Sequence, residues 1–186
     1  MNFLSLFLSL LAGLFAPALA PGIIASEESK KATTHIAWSA DRPLTWGDFK
    51  AQPDSLNPHH ALTAANLAVD AKCNANKLEY DVKCVFLANE SWTKNIKSDK
   101  LLQHEQLHFD LTEVHARQLR KELKALGTVC PDARPKLAAT VNAAFARWKA
   151  EQDKFDAQSK HGLDATVSAE WEQTIAARLK QLENYK

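Results

Sequence analysis

The chain has 186 residues, with 23 basic against 22 acidic side chains and a formal net charge of +1. Dispersed, balanced charge excludes the basic footprint of a nucleic-acid binder and gives no sign of an acidic partner. With the first twenty residues set aside, the remaining length suits one domain with a sizeable core.

From Phe3 to Ala20 there is no charged residue, and Leu, Phe and Ala dominate. This reads as a secretory signal peptide over residues 1–20 whose only positive charge is the amino terminus. Ala18, Ala20 and Ala25 compete as the cleavage point, since cutting after Ala20 would leave Pro21 first. An uncleaved membrane anchor is the alternative, because the run is near the shortest that spans a bilayer. Residues 21–33, with Glu27, Glu28, Lys30 and Lys31, form an expected solvated, flexible lead-in to a single domain at 34–186. An exported protein, periplasmic or extracellular, follows. Its three cysteines, Cys73, Cys84 and Cys130, fit one disulfide and one remaining thiol. They lack the paired close spacing of a structural zinc site.

A strand-like pattern runs from Thr34 to about Trp92. Leu78, Tyr80, Val82, Cys84 and Phe86 alternate with Glu79, Asp81 and Lys83, as a half-buried strand requires. Leu67, Val69, Ala71 and Cys73 alternate just before, and Asn74-Ala75-Asn76-Lys77 reads as a hairpin turn. Setting Cys73 opposite Leu78 puts Cys84 opposite Leu67, about 20 Å along the ladder from Cys73. A Cys73–Cys84 bridge is thereby disfavoured, and Cys130 is expected to pair with one of the two. Pro43 to Phe49 and His59-His60 read as loops or short edge elements.

Helical periodicity then takes over. One helix is expected over Asp99–Leu126, a second over Pro135–Lys160 and a third over Ala165–Glu183, capped by Asp164 or Thr166. Gly127 to Asp132 connects the first two, Pro135 suits a helix start, and Gly162 a helix end. The fold class is therefore α+β, a small amino-terminal antiparallel sheet followed by a helical half, in the manner of a zincin.

The first of these helices carries His104-Glu105-Gln106-Leu107-His108. Two histidines four apart project from one face and can share a metal ion, zinc by preference. Glu105 between them is placed to act on a metal-bound water as the catalytic base. Leu101, Leu102, Leu107, Phe109, Leu111, Val114, Leu119 and Leu123 make the same helix apolar over a wide face, so it should be a buried core helix.

A catalytic zinc takes a third protein ligand. If the first two long helices fold back near Cys130, His104 lies level with Ala157, His108 with Asp153, and His161 about one turn from His104. His161, freed by Gly162, is the preferred third metal ligand, with Asp156 and Asp153 as competitors. His115 lies about 10 Å from His108 along the axis and is assigned a solvent-facing or packing role. Glu113 is read as a solvated charge, and Asp110 as a surface carboxylate rather than a support for a ligand. His35, His59 and His60 carry no spacing signal. The five tryptophans, Trp38, Trp46, Trp92, Trp148 and Trp171, are scattered as core anchors would be rather than clustered as a carbohydrate platform.

The run His104 to Asp110, with Glu113 and Ala116-Arg117, resembles a bacterial family of unknown function, numbered 922, described as secreted zinc-dependent proteases. Pro43-Leu44-Thr45-Trp46-Gly47-Asp48-Phe49 is similar to that family's Leu-Thr-Trp-x-Asp-Phe segment. Phe155-Asp156 through Lys160-His161-Gly162 is similar to its Tyr-Asp…His-Gly segment. The resemblance implies His104, His108 and His161 as zinc ligands and Glu105 as acid/base. Leu107 stands where the family has glycine, and His115 and Phe155 stand where it has tyrosine. A zinc peptidase acting on a peptide or protein substrate is the leading expectation, with no nucleic-acid partner and no membrane association after signal cleavage. The alternatives are a non-catalytic metal-stabilised binding module, or a zinc amidase acting on a non-peptide amide.

Overall fold

The computed structural model describes residues 35–186, all within one compact unit. The signal peptide expected at 1–20 and the lead-in at 21–33 lie outside the described residues. The order is β1 (His35–Ala37), a 3₁₀ turn at Trp46–Asp48, β2 (Ala61–Leu62), β3 (Ala65–Asn74), β4 (Lys77–Leu87) and β5 (Trp92–Thr93). Three helices follow: α1 (Asp99–Ala125), α2 (Cys130–Ser159) and α3 (Ala165–Gln181), with a last 3₁₀ turn at Glu183–Tyr185. This is an α+β fold. Strands account for less of residues 34–92 than the pattern suggests, because residues 38–60 are mostly irregular.

The larger sheet has the order β1-β4-β3, and a second, two-stranded sheet pairs β2 with β5. In the β3–β4 hairpin Cys73 faces Leu78 and Leu67 faces Cys84, the register expected from the alternation. Ala75 and Asn76 both take positive φ, 46° and 65°, which a two-residue turn matched to strand twist demands. Cys73 is bonded to Cys130, and Cys84 is a buried free thiol. Burial pushes that thiol's pKa well up, and the charge of Glu113 adds to the shift, so Cys84 behaves as an apolar core residue.

α1 is the centre of the molecule. Ser98 caps it by accepting from the Leu101 N–H, as an N-cap should. One side of α1, with Phe109, Leu119 and Leu123, packs on Leu67, Val82 and Phe86 of the sheet. The other side, with Leu107, Leu111 and Val114, packs on Phe155 of α2 and Trp171 and Ile175 of α3. An all-round apolar helix is buried for this reason.

α2 begins five residues earlier than Pro135. Pro131 sits in its first turn, where a missing N–H costs nothing. The Cys130 N–H donates to Asn76 O at 2.7 Å, so hairpin and disulfide together fix the start. Pro135 lies inside the helix, and the 127–132 connection shortens accordingly. At the far end α2 closes at Ser159, and Lys160 and His161 are left-handed before Gly162 (φ 51°, 53° and 79°). Asp164 caps α3 by accepting from the Val167 N–H.

Two charged positions differ from expectation, and His115 takes the second of the two roles expected of it. Glu113 is buried, not solvated, because Arg117 and Arg120 both reach its Oε1 at 2.9 Å. His115 is packed inside, its Nε2 2.7 Å from Glu151. Asp110 is no surface carboxylate: Trp38 Nε1 and Gln106 Nε2 both donate to its Oδ1 at 2.7 Å.

Candidate metal centre

α1 and α2 run antiparallel, and their side-chain pairs fall within one residue of the expected register. His104 meets Asp156, His108 meets Gln152, and Thr112 meets Trp148. Three ligand atoms converge there. His104 Nε2 lies 3.1 Å from Asp156 Oδ1, His108 Nε2 lies 3.0 Å from the same oxygen, and the two Nε2 atoms are 3.2 Å apart. Three donors on a tetrahedral zinc, each at about 2.0–2.1 Å, stand about 3.3 Å from one another. The triangle therefore has the size of a zinc ligand set, and two imidazoles with one carboxylate are donors that suit zinc.

The tautomer of His108 sharpens the point. Gln152 Nε2 donates to His108 O and to Thr112 Oγ1, both at 3.0 Å, which fixes the amide so that Oε1 faces the imidazole. His108 Nδ1 is 2.6 Å from that oxygen, so Nδ1 carries the proton. The Nε2 lone pair of a neutral His108 then faces a carboxylate oxygen, two acceptors in contact, and a proton or a cation has to lie between them. Burial disfavours a charged His108, but Asp156 and Glu105 outweigh it and raise its pKa. Burial likewise opposes an ionised Asp156, yet hydrogen bonds from His104 and His108 hold it well below the usual carboxylate range. The site is built to hold positive charge at one point.

His104 is packed to the same end. Its ring and that of His108 lie 4.7 and 4.8 Å from Phe155, and Gly162 closes over it. A Cβ on Gly162 would stand 2.9 Å from His104 Cγ, so close approach and positive φ both require glycine there. His104 Nδ1 is buried without a hydrogen-bond partner among the described residues.

Glu105 is 4 % exposed and lines the same cavity of about 580 Å³ as the two histidines and Asp156. Among the described residues no hydrogen bond or ion pair engages its carboxylate. Positions flanking the histidines do structural work. Gln106 Oε1 accepts from the Leu44 N–H, and Thr63 Oγ1 donates to Glu105 O, so 43–49 and the strand region are strapped to the motif.

The sequence-predicted residues are thus mostly brought together. His104, Glu105 and His108 share the cavity, and the convergent third atom belongs to Asp156. His161 lines the mouth, half exposed, with Nδ1 3.3 Å from Asp156 Oδ1; it lies beside the trio rather than within it. Asp153 is exposed. His59 and His60, given no role from spacing, also line the cavity, and the His59 ring lies 4.6 Å from that of His161. Trp148 is a wall of the cavity as well as an anchor.

Residues 33–162 match the family described as Bacterial protein of unknown function (DUF922). The chain belongs to that family. Every residue of this candidate metal centre falls within the DUF922 match, which ends at Gly162, the residue packed on His104. Nothing among curated proteins or solved structures matches the chain.

Proposed function

We propose that this DUF922 protein is an exported zinc-dependent peptidase, periplasmic or extracellular. The observation that carries the reading is the triangle of His104 Nε2, His108 Nε2 and Asp156 Oδ1 on a cavity that also receives the unbonded Glu105 carboxylate. His104, His108 and Asp156 would hold the ion, with His161 as a neighbour able to brace Asp156 or replace it. Bound zinc would supply Lewis acidity, polarising a carbonyl and bringing the pKa of water toward about 7. Glu105 accepts the proton of the attacking water and passes it to the departing amine. β2 has β5 as its one strand partner among the described residues and lines the cavity. An extended substrate would pair along the remaining edge.

A second reading, a non-catalytic zinc-stabilised module, has one observation in its favour. His161 stands close enough to Asp156 to close a fourth coordination position, and closed sites are structural. The chemistry of the site does not favour a peptide over another amide, so a zinc amidase is a variant of the first reading.

The deciding experiment pairs zinc analysis with a peptide-hydrolysis assay on the mature chain, Asp156→Ala and His161→Ala. The peptidase reading expects one zinc per chain with hydrolysis, zinc largely lost from Asp156→Ala, and zinc retained at reduced affinity in His161→Ala. Stoichiometric zinc without hydrolysis of any peptide would favour the module. A wild-type chain that takes up no zinc would sink both.

A further inference from the structure

The metal cavity runs along α2 from Lys160 and His161 at one end to Gln152 and Trp148 at the other. Beyond Trp148 a second hollow of about 460 Å³ opens, lined by Phe145, Ala146, Trp148, Lys149 and Gln152. Trp148 and Gln152 line both, so the hollow adjoins the cleft. Its character differs from that of the metal end. Trp148 Nε1 is spent on Thr112 Oγ1 at 3.1 Å, and Gln152's amide is spent on His108 and Thr112. What remains facing the hollow is almost wholly apolar, Ala146 and the stem of Lys149 beside the Phe145 and Trp148 rings, which meet edge to face at 5.9 Å.

We propose that this hollow is a substrate subsite for an aromatic or branched aliphatic side chain of an extended peptide. The inference rests on the peptidase reading and adds where specificity lies. Helical rise places Trp148 about 12 Å and Phe145 about 16 Å from Asp156 along α2. An extended peptide advances about 3.3 Å per residue, so the side chain in the hollow lies about three to five residues from the cleaved bond. The hollow adjoins the cleft at Trp148 and Gln152 and its surface is almost wholly apolar, which makes an apolar side chain of the bound chain its occupant. The same Thr112–Gln152 hydrogen bonds that saturate this wall hold His108. The subsite is therefore tied rigidly to the metal ligand.

The test is cleavage of a fixed-length peptide library by the zinc-loaded mature chain, by Phe145→Ser and by Ala146→Arg. Ala146 is exposed, so its arginine fills the hollow without entering the core should Phe145→Ser fail to fold. The expected result is a preference of about tenfold to hundredfold in kcat/KM for Phe, Leu or Ile over Gly at one position in that window. In both variants the ratio should fall toward one. Cleavage with no such preference, or a preference that survives Ala146→Arg, overturns the subsite and leaves the peptidase reading standing. Cleavage of no peptide by any form overturns both. If Ala146→Arg changes the oligomeric mass and not the preference, the hollow is a contact between copies of this chain and the subsite is wrong.

Discussion

α1 carries two clusters of charged and titratable side chains, one near each end, and they are built on opposite principles. In the carboxyl-terminal cluster each charged group is satisfied. Glu113 Oε1 takes both Arg117 and Arg120, Arg117 also donates to Leu179 O, and Arg120 also donates to Val82 O and Tyr185 O. In the amino-terminal cluster, among the described residues, His104 Nδ1 has no partner, Glu105 is unbonded, and two imidazole nitrogens crowd one carboxylate oxygen. A cluster that is saturated fastens the fold, here joining α1 to the sheet and to the carboxyl terminus. One that leaves buried groups unsatisfied costs stability and is kept where those groups meet something else.

The contrast breaks most sharply at the two glutamates. Glu105→Gln removes a proton acceptor and no ligand. It should keep the zinc content and lower turnover at least about a hundredfold, read by metal analysis beside single-turnover kinetics. Full activity in that variant removes Glu105 from the mechanism. Glu113→Gln should do the reverse. With Arg117 only 4 % exposed, losing the Glu113 carboxylate leaves its charge only the half-exposed Glu183 at 3.3 Å, a cost of about 3 kcal/mol. A melting temperature roughly 10 °C lower with unchanged zinc content is expected; a melting temperature within a degree of wild type would show that the cluster is not a fastening.

The next effect tests what holds the open cluster in shape. Gln152→Leu removes the acceptor for His108 Nδ1–H, and supporting residues of this kind are worth about 10–100-fold in metal affinity. Chelator competition should record that loss, and Gln152→Glu, which keeps an acceptor oxygen, should recover most of it. Equal affinity in the leucine variant would mean that packing on Phe155 alone orients the ring.

How far these two clusters could be read in the sequence differs too. The β3–β4 register was legible because period-two alternation and a tight turn leave one way to pair the strands, and the cysteine pairing narrowed with it. The level of α2 against His104 and His108 was legible from the short connection alone. Its rotation was not, since α2 is too weakly patterned to say that Asp156 turns inward while Asp153 turns out. Sequence alone therefore ranks His161 above Asp156 as third ligand. The burial of Glu113 had a signal, arginines four and seven residues on, both on its own helix face. His59 and His60 had none: they reach the cavity only because β2 pairs with β5, a contact between two-residue strands that no periodicity announces.

The smallest expected effect belongs to the bridge that His115 of α1 makes to Glu151 of α2 and, through it, to Arg178 of α3. Glu151 on α2 receives His115 Nε2 at 2.7 Å and Arg178 at 2.7 Å. The His115 hydrogen bond, against the opposing effect of burial and with help from Arg178, lowers its pKa from 4.5 to about 2. A carboxyl whose folded pKa is depressed adds stability that is complete above its unfolded pKa and disappears as pH falls through the folded value. Glu151 therefore stabilises fully above about pH 4.5 and loses that contribution on the way to about pH 2. The group is partly exposed, so its worth is about 1 kcal/mol. Urea unfolding at pH 6 and pH 2 should show Glu151→Gln destabilised at the higher pH and much closer to wild type at the lower. The open cluster adds an acid sensitivity of its own through Asp156, and zinc, if bound as proposed, would suppress it because an ion there competes with protons for the same atoms. Glu151 touches no ligand, so its difference between wild type and variant should be the same with and without zinc. A zinc-dependent difference would mean that the His115–Glu151–Arg178 bridge belongs to the metal centre and that α1 does not divide as its two ends suggest.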